Sequence, residues 1–126
     1  MKTLILPPSE LIPIQTSVDR KIVLEKLAKK SFRAKVVPYH RKFLIRDGTH
    51  SSCAAEMKKI GVIAHIYESD EEFARGESEF AYPYASMAAL IEDYETQIRR
   101  ECARQGIHSV KDLADLVRFY SLYSFH

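Results

Sequence analysis

Tryptophan is absent from this chain, and cysteine and glycine are scarce: two Cys and four Gly in 126 residues. Cys53 and Cys102 lie far apart and offer neither a metal-ligand spacing nor a disulfide framework. Both therefore read as reduced, buried small hydrophobes. No run of about 18 apolar residues occurs, so no membrane span is expected. The N-terminal apolar run Leu4-Ile5-Leu6 stops at Pro7-Pro8 and is too short for a secretory leader. These absences together predict a cytoplasmic protein with no membrane contact. A large charge excess is missing as well. The formal net charge is +2, far from the basic excess or stripe of a dedicated nucleic-acid binder. There is no internal repeat and no low-complexity segment.

What is present suits one compact domain over 1–126. Hydrophobic residues make up 46% of the chain, enough for a core that buries roughly two thirds of the unfolded surface. Leu4 to Leu6 and Leu11 to Ile14 are interrupted by prolines and read as edge or extended pieces. Ser17 to Lys30 reads as a helix capped by Ser17, with Leu24, Leu27 and Ala28 on one face. Lys35–Tyr39 and Lys42–Arg46 are β-prone runs that suggest a hairpin. Its His40-Arg41 link lacks the Gly or Asn that favours a tight two-residue turn.

A helix from Thr49 or His50 to Ile60 should bury Cys53, Ala54, Met57 and Ile60, and stop at Gly61. Val62–Tyr67 resumes as a strand. The acidic stretch Glu68–Glu79 reads as exposed, with room for a short helix opened by Asp70, Glu71 and Glu72. From Tyr84 to Gln105 apolar residues recur at helical spacing, with Met87, Leu90, Ile91, Tyr94, Ile98 and Cys102 on one side. Gly106 ends that helix. Ser109 opens the last one, with Asp112 three residues on as an imperfect capping box.

The segment that carries chemistry is Lys42-Phe43-Leu44-Ile45-Arg46-Asp47-Gly48-Thr49-His50-Ser51-Ser52, followed by Cys53-Ala54 and, later, Gly61. It is a strand, a tight turn and a helix start. Gly48 lets the backbone turn and approach a ligand closely. The first N–H groups of the helix point into that turn, where donors and dipole together attract anions. Thr49, Ser51 and Ser52 add hydroxyls, and His50 adds a ring nitrogen.

Here the chain resembles the ParB/sulfiredoxin superfamily. The elements are Leu11-Ile12-Pro13, the helix after Ser17, the hairpin, Asp47-Gly48-Thr49-His50, Ala54 and Gly61, in that order over about half the chain. The resemblance implies an α+β fold. It would be a small mixed-sheet ParB/sulfiredoxin-like core at 11–68, with a C-terminal helical pair at 84–120. It also implies a phosphate or nucleotide site at Gly48 to Ser52. Asp47 and His50 would be the catalytic candidates, with Asp47 as the metal-binding or base carboxylate and His50 contacting phosphate. ATP or CTP with Mg²⁺ is the cofactor so implied.

Three departures weaken parts of this implication. The family arginine after the histidine is Ser51, which removes a bidentate phosphate clamp. The sulfiredoxin cysteine falls at Thr49, and the serine-kinase carboxylate falls near Gln15. Alternation places Lys42, Leu44 and Arg46 on one strand face and Phe43 and Ile45 on the other. Arg46 and Lys42 could thus replace the missing arginine as ligand-binding residues.

Plain structural readings stand beside these. Asp47-Gly48 is an ordinary turn dipeptide, His50 could cap its helix, and His65 reads as a satisfied core histidine. Arg33, Lys35, His40, Arg41, Lys42 and Arg46 form a local basic concentration that would ordinarily be a solvated face. Phe119, Tyr120, Tyr123 and Phe125 could form a homodimer patch. Three functions follow as expectations. One is a phosphate- or nucleotide-binding protein, as a phosphotransferase or nucleotide hydrolase. The second is a degenerate, non-catalytic interaction module. The third is a DNA-binding or nuclease-type protein.

Overall fold

The computed structural model describes the backbone of residues 1–123 and the side chains of residues 1–119. The fold is α+β. A mixed five-stranded sheet has the order β1-β5-β3-β4-β2, from β1 (Lys2–Leu6), β2 (Leu11–Ile12), β3 (Arg33–Tyr39), β4 (Lys42–Asp47) and β5 (Val62–Ile66). β5 and β3 run parallel, β4 and β2 run parallel, and the β1–β5 and β3–β4 pairs are antiparallel. The two proline-flanked pieces sit at the two edges, where a missing ladder donor does least harm.

One face of the sheet carries α1 (Arg20–Leu27), α2 (Thr49–Lys58) and α6 (Val110–Tyr123). The core there includes Val23, Ala34, Val36, Ile45, Cys53, Ala54, Leu113 and Val117. The other face carries α3 (Asp70–Glu77) and α4 (Met87–Asp93) over Val37, Leu44, Tyr67, Phe73 and Leu90. The alternation expected along β4 holds for its core residues: Ile45 packs under the first group and Leu44 under the second.

Several local expectations are corrected. Asp19, not Ser17, caps α1, accepting from the N–H groups of Lys21 at 2.9 Å and Ile22 at 3.4 Å. The helix then runs only to Leu27. Val23 is its buried residue, while Leu24 is 36% exposed. The His40-Arg41 link is a two-residue turn after all, with Tyr39 paired to Lys42. His40 takes the left-handed conformation (φ 53°) that glycine or asparagine would adopt more cheaply. Its ring meets Tyr39 edge-on at 4.5 Å.

At the end of α2 the left-handed residue is Lys59 (φ 59°), not Gly61. Ile60 is left 40% exposed instead of buried. Gly61 matters for another reason: a Cβ there would come within 2.7 Å of Ile5 Cγ2.

The long C-terminal helix begins at Met87 rather than Tyr84. Ser86 caps it by accepting from the Ala89 N–H. A π-helical turn (Tyr94–Ile98) joins α4 to α5 (Arg99–Arg104) while the backbone stays in the right-handed helical region. Leu90 and Tyr94 are buried, and Ile98 packs against both cores. At α6 the capping box forms as the spacing suggested. Asp112 accepts from Ser109 N–H at 3.1 Å, and Ser109 accepts from Asp112 N–H at 3.3 Å. The Tyr120 and Tyr123 side chains, and Phe125, lie outside the described residues. No helix among the described residues is long and apolar enough to cross a membrane.

Candidate functional site

The strand–turn–helix at β4–Gly48–α2 forms where the sequence places it. Gly48 has φ 106°, open to glycine and strained for any other residue. It also sits hard against β3. A Cβ would lie 2.5 Å from the Arg33 carbonyl oxygen and 2.7 Å from Ala34 Cα, both backbone atoms. The glycine therefore serves both the turn and the packing of the strand below it.

The first intrahelical bond of α2 runs from Ser52 N–H to Gly48 C=O at 2.9 Å. The N–H groups of Thr49, His50 and Ser51 precede it and have no acceptor within the helix. No side chain caps this end. Three aligned donors on a ten-residue helix, with the positive end of its dipole behind them, form an anion-attracting geometry.

The side chains named from the sequence do not all gather there. Ser52 is removed from the ligand set: it is fully buried, and its hydroxyl donates to the Gly48 carbonyl at 2.8 Å. Thr49 is also buried. Ser51 is half-exposed at the helix start. His50 Nε2 accepts the Asp19 N–H at 3.1 Å, so this ring nitrogen carries no proton and ties the α1 cap to the α2 start.

Arg46 is corrected most clearly. Its guanidinium donates twice to Glu77, from Nε at 2.8 Å and Nη2 at 3.0 Å, and lies 3.7 Å over the Phe80 ring and 5.1 Å from the Tyr84 ring. That places it on the α3 face of the sheet, opposite α2. Glu77 is 2% exposed and also accepts the Tyr84 N–H at 2.7 Å. Lys42 is corrected as well. It starts β4 at the hairpin, roughly 16 Å from Asp47 at about 3.3 Å per residue. Neither residue substitutes for the arginine that Ser51 displaces.

Asp47 follows an irregularity in the ladder. Lys35 pairs with Asp47, but Val36 pairs with Ile45, which leaves Arg46 as the extra residue. The Asp47 carboxylate is exposed, and it helps to raise the pKa of Tyr67, whose largest cause is burial. Among the described residues, no group of three or more His, Cys, Asp and Glu side chains is arranged to hold a metal ion. Asp47 stands as a single carboxylate.

A cavity of about 320 Å³ opens beside the α1 cap. Val18 and Arg20, which flank Asp19, line it together with Thr16, Ser17, Gln105 and Ile107. The cavity thus reaches the chain neighbours of Asp19, while no residue of β4 or of the α2 start lines it. Sequence reasoning missed it because its walls come from the α1 approach and from the α5–α6 region, far apart in the chain. It missed Glu77 for the same reason. Glu77 lies within an acidic run that looks solvated throughout, and only Phe73, four residues earlier, marks a buried helix face. Comparison with protein-family models, with curated proteins and with solved structures finds no match to this chain.

Proposed function

We propose that this chain is a phosphate-binding domain of the ParB/sulfiredoxin type. It takes a phosphate-bearing small molecule, with ATP or CTP as the candidate, at the start of α2. The observation that carries this reading is the Gly48 turn with the Thr49, His50 and Ser51 N–H groups beyond it, all before the first intrahelical bond. Anionic acceptors strengthen such bonds to about 1.5–3 kcal/mol each. Desolvation and ordering costs leave an expected affinity of roughly millimolar to micromolar.

The residues support binding more than turnover. Asp47 has no second carboxylate beside it, and His50 Nε2 already holds the Asp19 N–H. A phosphate fits three N–H donors. A protein-held Mg²⁺ fits one carboxylate poorly, so any Mg²⁺ would arrive with the nucleotide.

Titration calorimetry with ATP, CTP and ADP, each with and without Mg²⁺, tests the proposal. Saturable heat with at least one ligand is expected, and it should weaken in Ser51→Asp. That substitution adds a negative charge where the dipole tolerates it and an incoming anion does not. No heat at millimolar ligand would remove the reading.

The His50–Asp19 bond favours a second reading, a degenerate interaction module. There the ring is a structural tie between two helix starts, and the site stays empty. Lost stability in His50→Ala, without any ligand effect in the wild type, is the outcome that belongs to it.

A further inference from the structure

On the sheet face that carries α3 and α4, the β1–β5–β3 side presents a polar cluster on three adjacent strands. Thr3 on β1 pairs across to His65 on β5, and His65 pairs across to Lys35 on β3. Arg33, two residues before Lys35, shares that outward face. His65 lies at the centre with both ring nitrogens engaged. Nδ1 lies 3.1 Å from Thr3 Oγ1, and Nε2 lies 3.1 Å from Arg33 Nη1. A guanidinium only donates, so Nε2 must accept. The ring proton is therefore on Nδ1 and is donated to Thr3.

The charges around this cluster are one-sided. On β3, Arg33 and Lys35 have no carboxylate within ion-pair distance among the described residues. From β4, Asp47 stands opposite Lys35 in register but is not among those pairs. From β1, the Met1 amino group is near enough to act on His65, and it pairs with Glu72 at 2.5 Å and Glu68 at 3.9 Å, on and just before α3. Glu68 and Glu72 thus answer the amino terminus, Asp47 stays outside ion-pair distance of Lys35, and among the described residues neither Arg33 nor Lys35 makes an ion pair.

We propose that the Arg33–Lys35–His65–Thr3 face is a second anion site, for a phosphate-type oxyanion, and that filling it brings a proton onto His65. The chemistry balances simply. An arriving dianion attracts the Arg33 guanidinium, the Lys35 ammonium and the Thr3 hydroxyl. Nε2, no longer needed as Arg33's acceptor, takes a proton from solvent and donates to the anion. Without an anion, the His65 pKa is held below its ordinary 6.5, by burial first and then by Arg33, Lys35 and the amino terminus. An oxyanion between these cations offsets the repulsive share of that shift. The site is separate from the start of α2: it lies on the opposite face of the sheet and uses side chains rather than helix N–H groups.

The test is the imidazole titration of His65 by nuclear magnetic resonance. It is run once in sodium chloride and once in sodium phosphate at matched ionic strength. The expected result is a His65 midpoint that rises in phosphate, toward or past 6.5, while the other histidines move less. Arg33→Gln and Lys35→Gln, both exposed or half-exposed substitutions, should each shrink the difference between phosphate and chloride. Ser51→Asp should leave it intact. Equal midpoints in the two salts would overturn the proposal, as would a phosphate effect that survives in the Arg33→Gln, Lys35→Gln double variant. A phosphate effect abolished by Ser51→Asp but not by the double variant would assign it to the start of α2 and also sink this site.

Discussion

Replacing Glu77 by alanine should destabilise the fold sharply, because it strands the Arg46 guanidinium. The Arg46 side chain is 11% exposed and the Glu77 side chain 2%. Two charge-assisted bonds at 2.8 and 3.0 Å and the Tyr84 N–H bond at 2.7 Å all end on the Glu77 carboxylate. Removing one partner of a buried ion pair costs about 3–5 kcal/mol. A domain of this kind has about 5–15 kcal/mol in all, so Glu77→Ala should approach the limit of folding.

Arg46→Met leaves the carboxylate unpaired instead and should cost a comparable amount. The double variant Arg46→Met, Glu77→Leu removes both charges and keeps most of the volume. It should be less destabilised than either single variant. Urea denaturation followed by circular dichroism gives the three values from midpoints and slopes. Two small single effects that simply add in the double variant would refute the reasoning. So would a loss of phosphate affinity in Arg46→Met with stability unchanged, because Arg46 would then be a ligand residue.

Three other consequences are as definite. Gly48→Ala should lose more than about 2 kcal/mol, because it adds left-handed strain to a backbone clash with Arg33 and Ala34, and thermal melting measures it; an unchanged melting temperature would contradict the packing at β3. The Tyr67 hydroxyl is buried, has no hydrogen-bond partner among the described residues, and faces Gly76. Tyr67→Phe should therefore be neutral or stabilising by up to about 1 kcal/mol, and a clear loss in the same urea assay would mean that the hydroxyl has a partner after all. Burial pushes the Cys53 thiol up to about 12 and raises that of Cys102 as well. Neither should react with an aromatic disulfide reagent at mildly alkaline pH until the chain unfolds, and rapid labelling of the native protein would count against their burial.

Much of the architecture was legible because it depends on local chemistry. The β4–Gly48–α2–β5 succession follows from apolar runs, one turn glycine and a helix of small residues. The α6 cap follows from Ser109 and Asp112. What escaped depends on distant partners. Nothing in the spacing of Lys42 to Arg46 announces an extra residue in the ladder at Arg46, nor a carboxylate on α3 waiting for it. Glycine preference misjudged the His40-Arg41 turn, because two well-paired strands imposed the left-handed conformation on His40. The same weakness misplaced the end of α2, where Lys59 rather than Gly61 adopts that conformation. His65 was read as a core histidine from its apolar neighbours. It instead joins Thr3 and Arg33 in a polar cluster on the β1–β5–β3 side of the sheet.

The central claim is that the start of α2 receives a phosphate group, and the most direct measurement is an amide-resolved titration. Inorganic phosphate is added to ¹⁵N-labelled protein at constant ionic strength while the N–H signals of Thr49, His50 and Ser51 are followed. Saturable shifts at these three amides with a common Kd are expected. That Kd should be several-fold lower in Ser51→Arg, where a guanidinium adds up to two bonds to the ligand at a cost of about 1.5–2 kcal/mol in side-chain ordering. Amides that stay fixed across the titration, in wild type and variant alike, would contradict phosphate binding at this helix start.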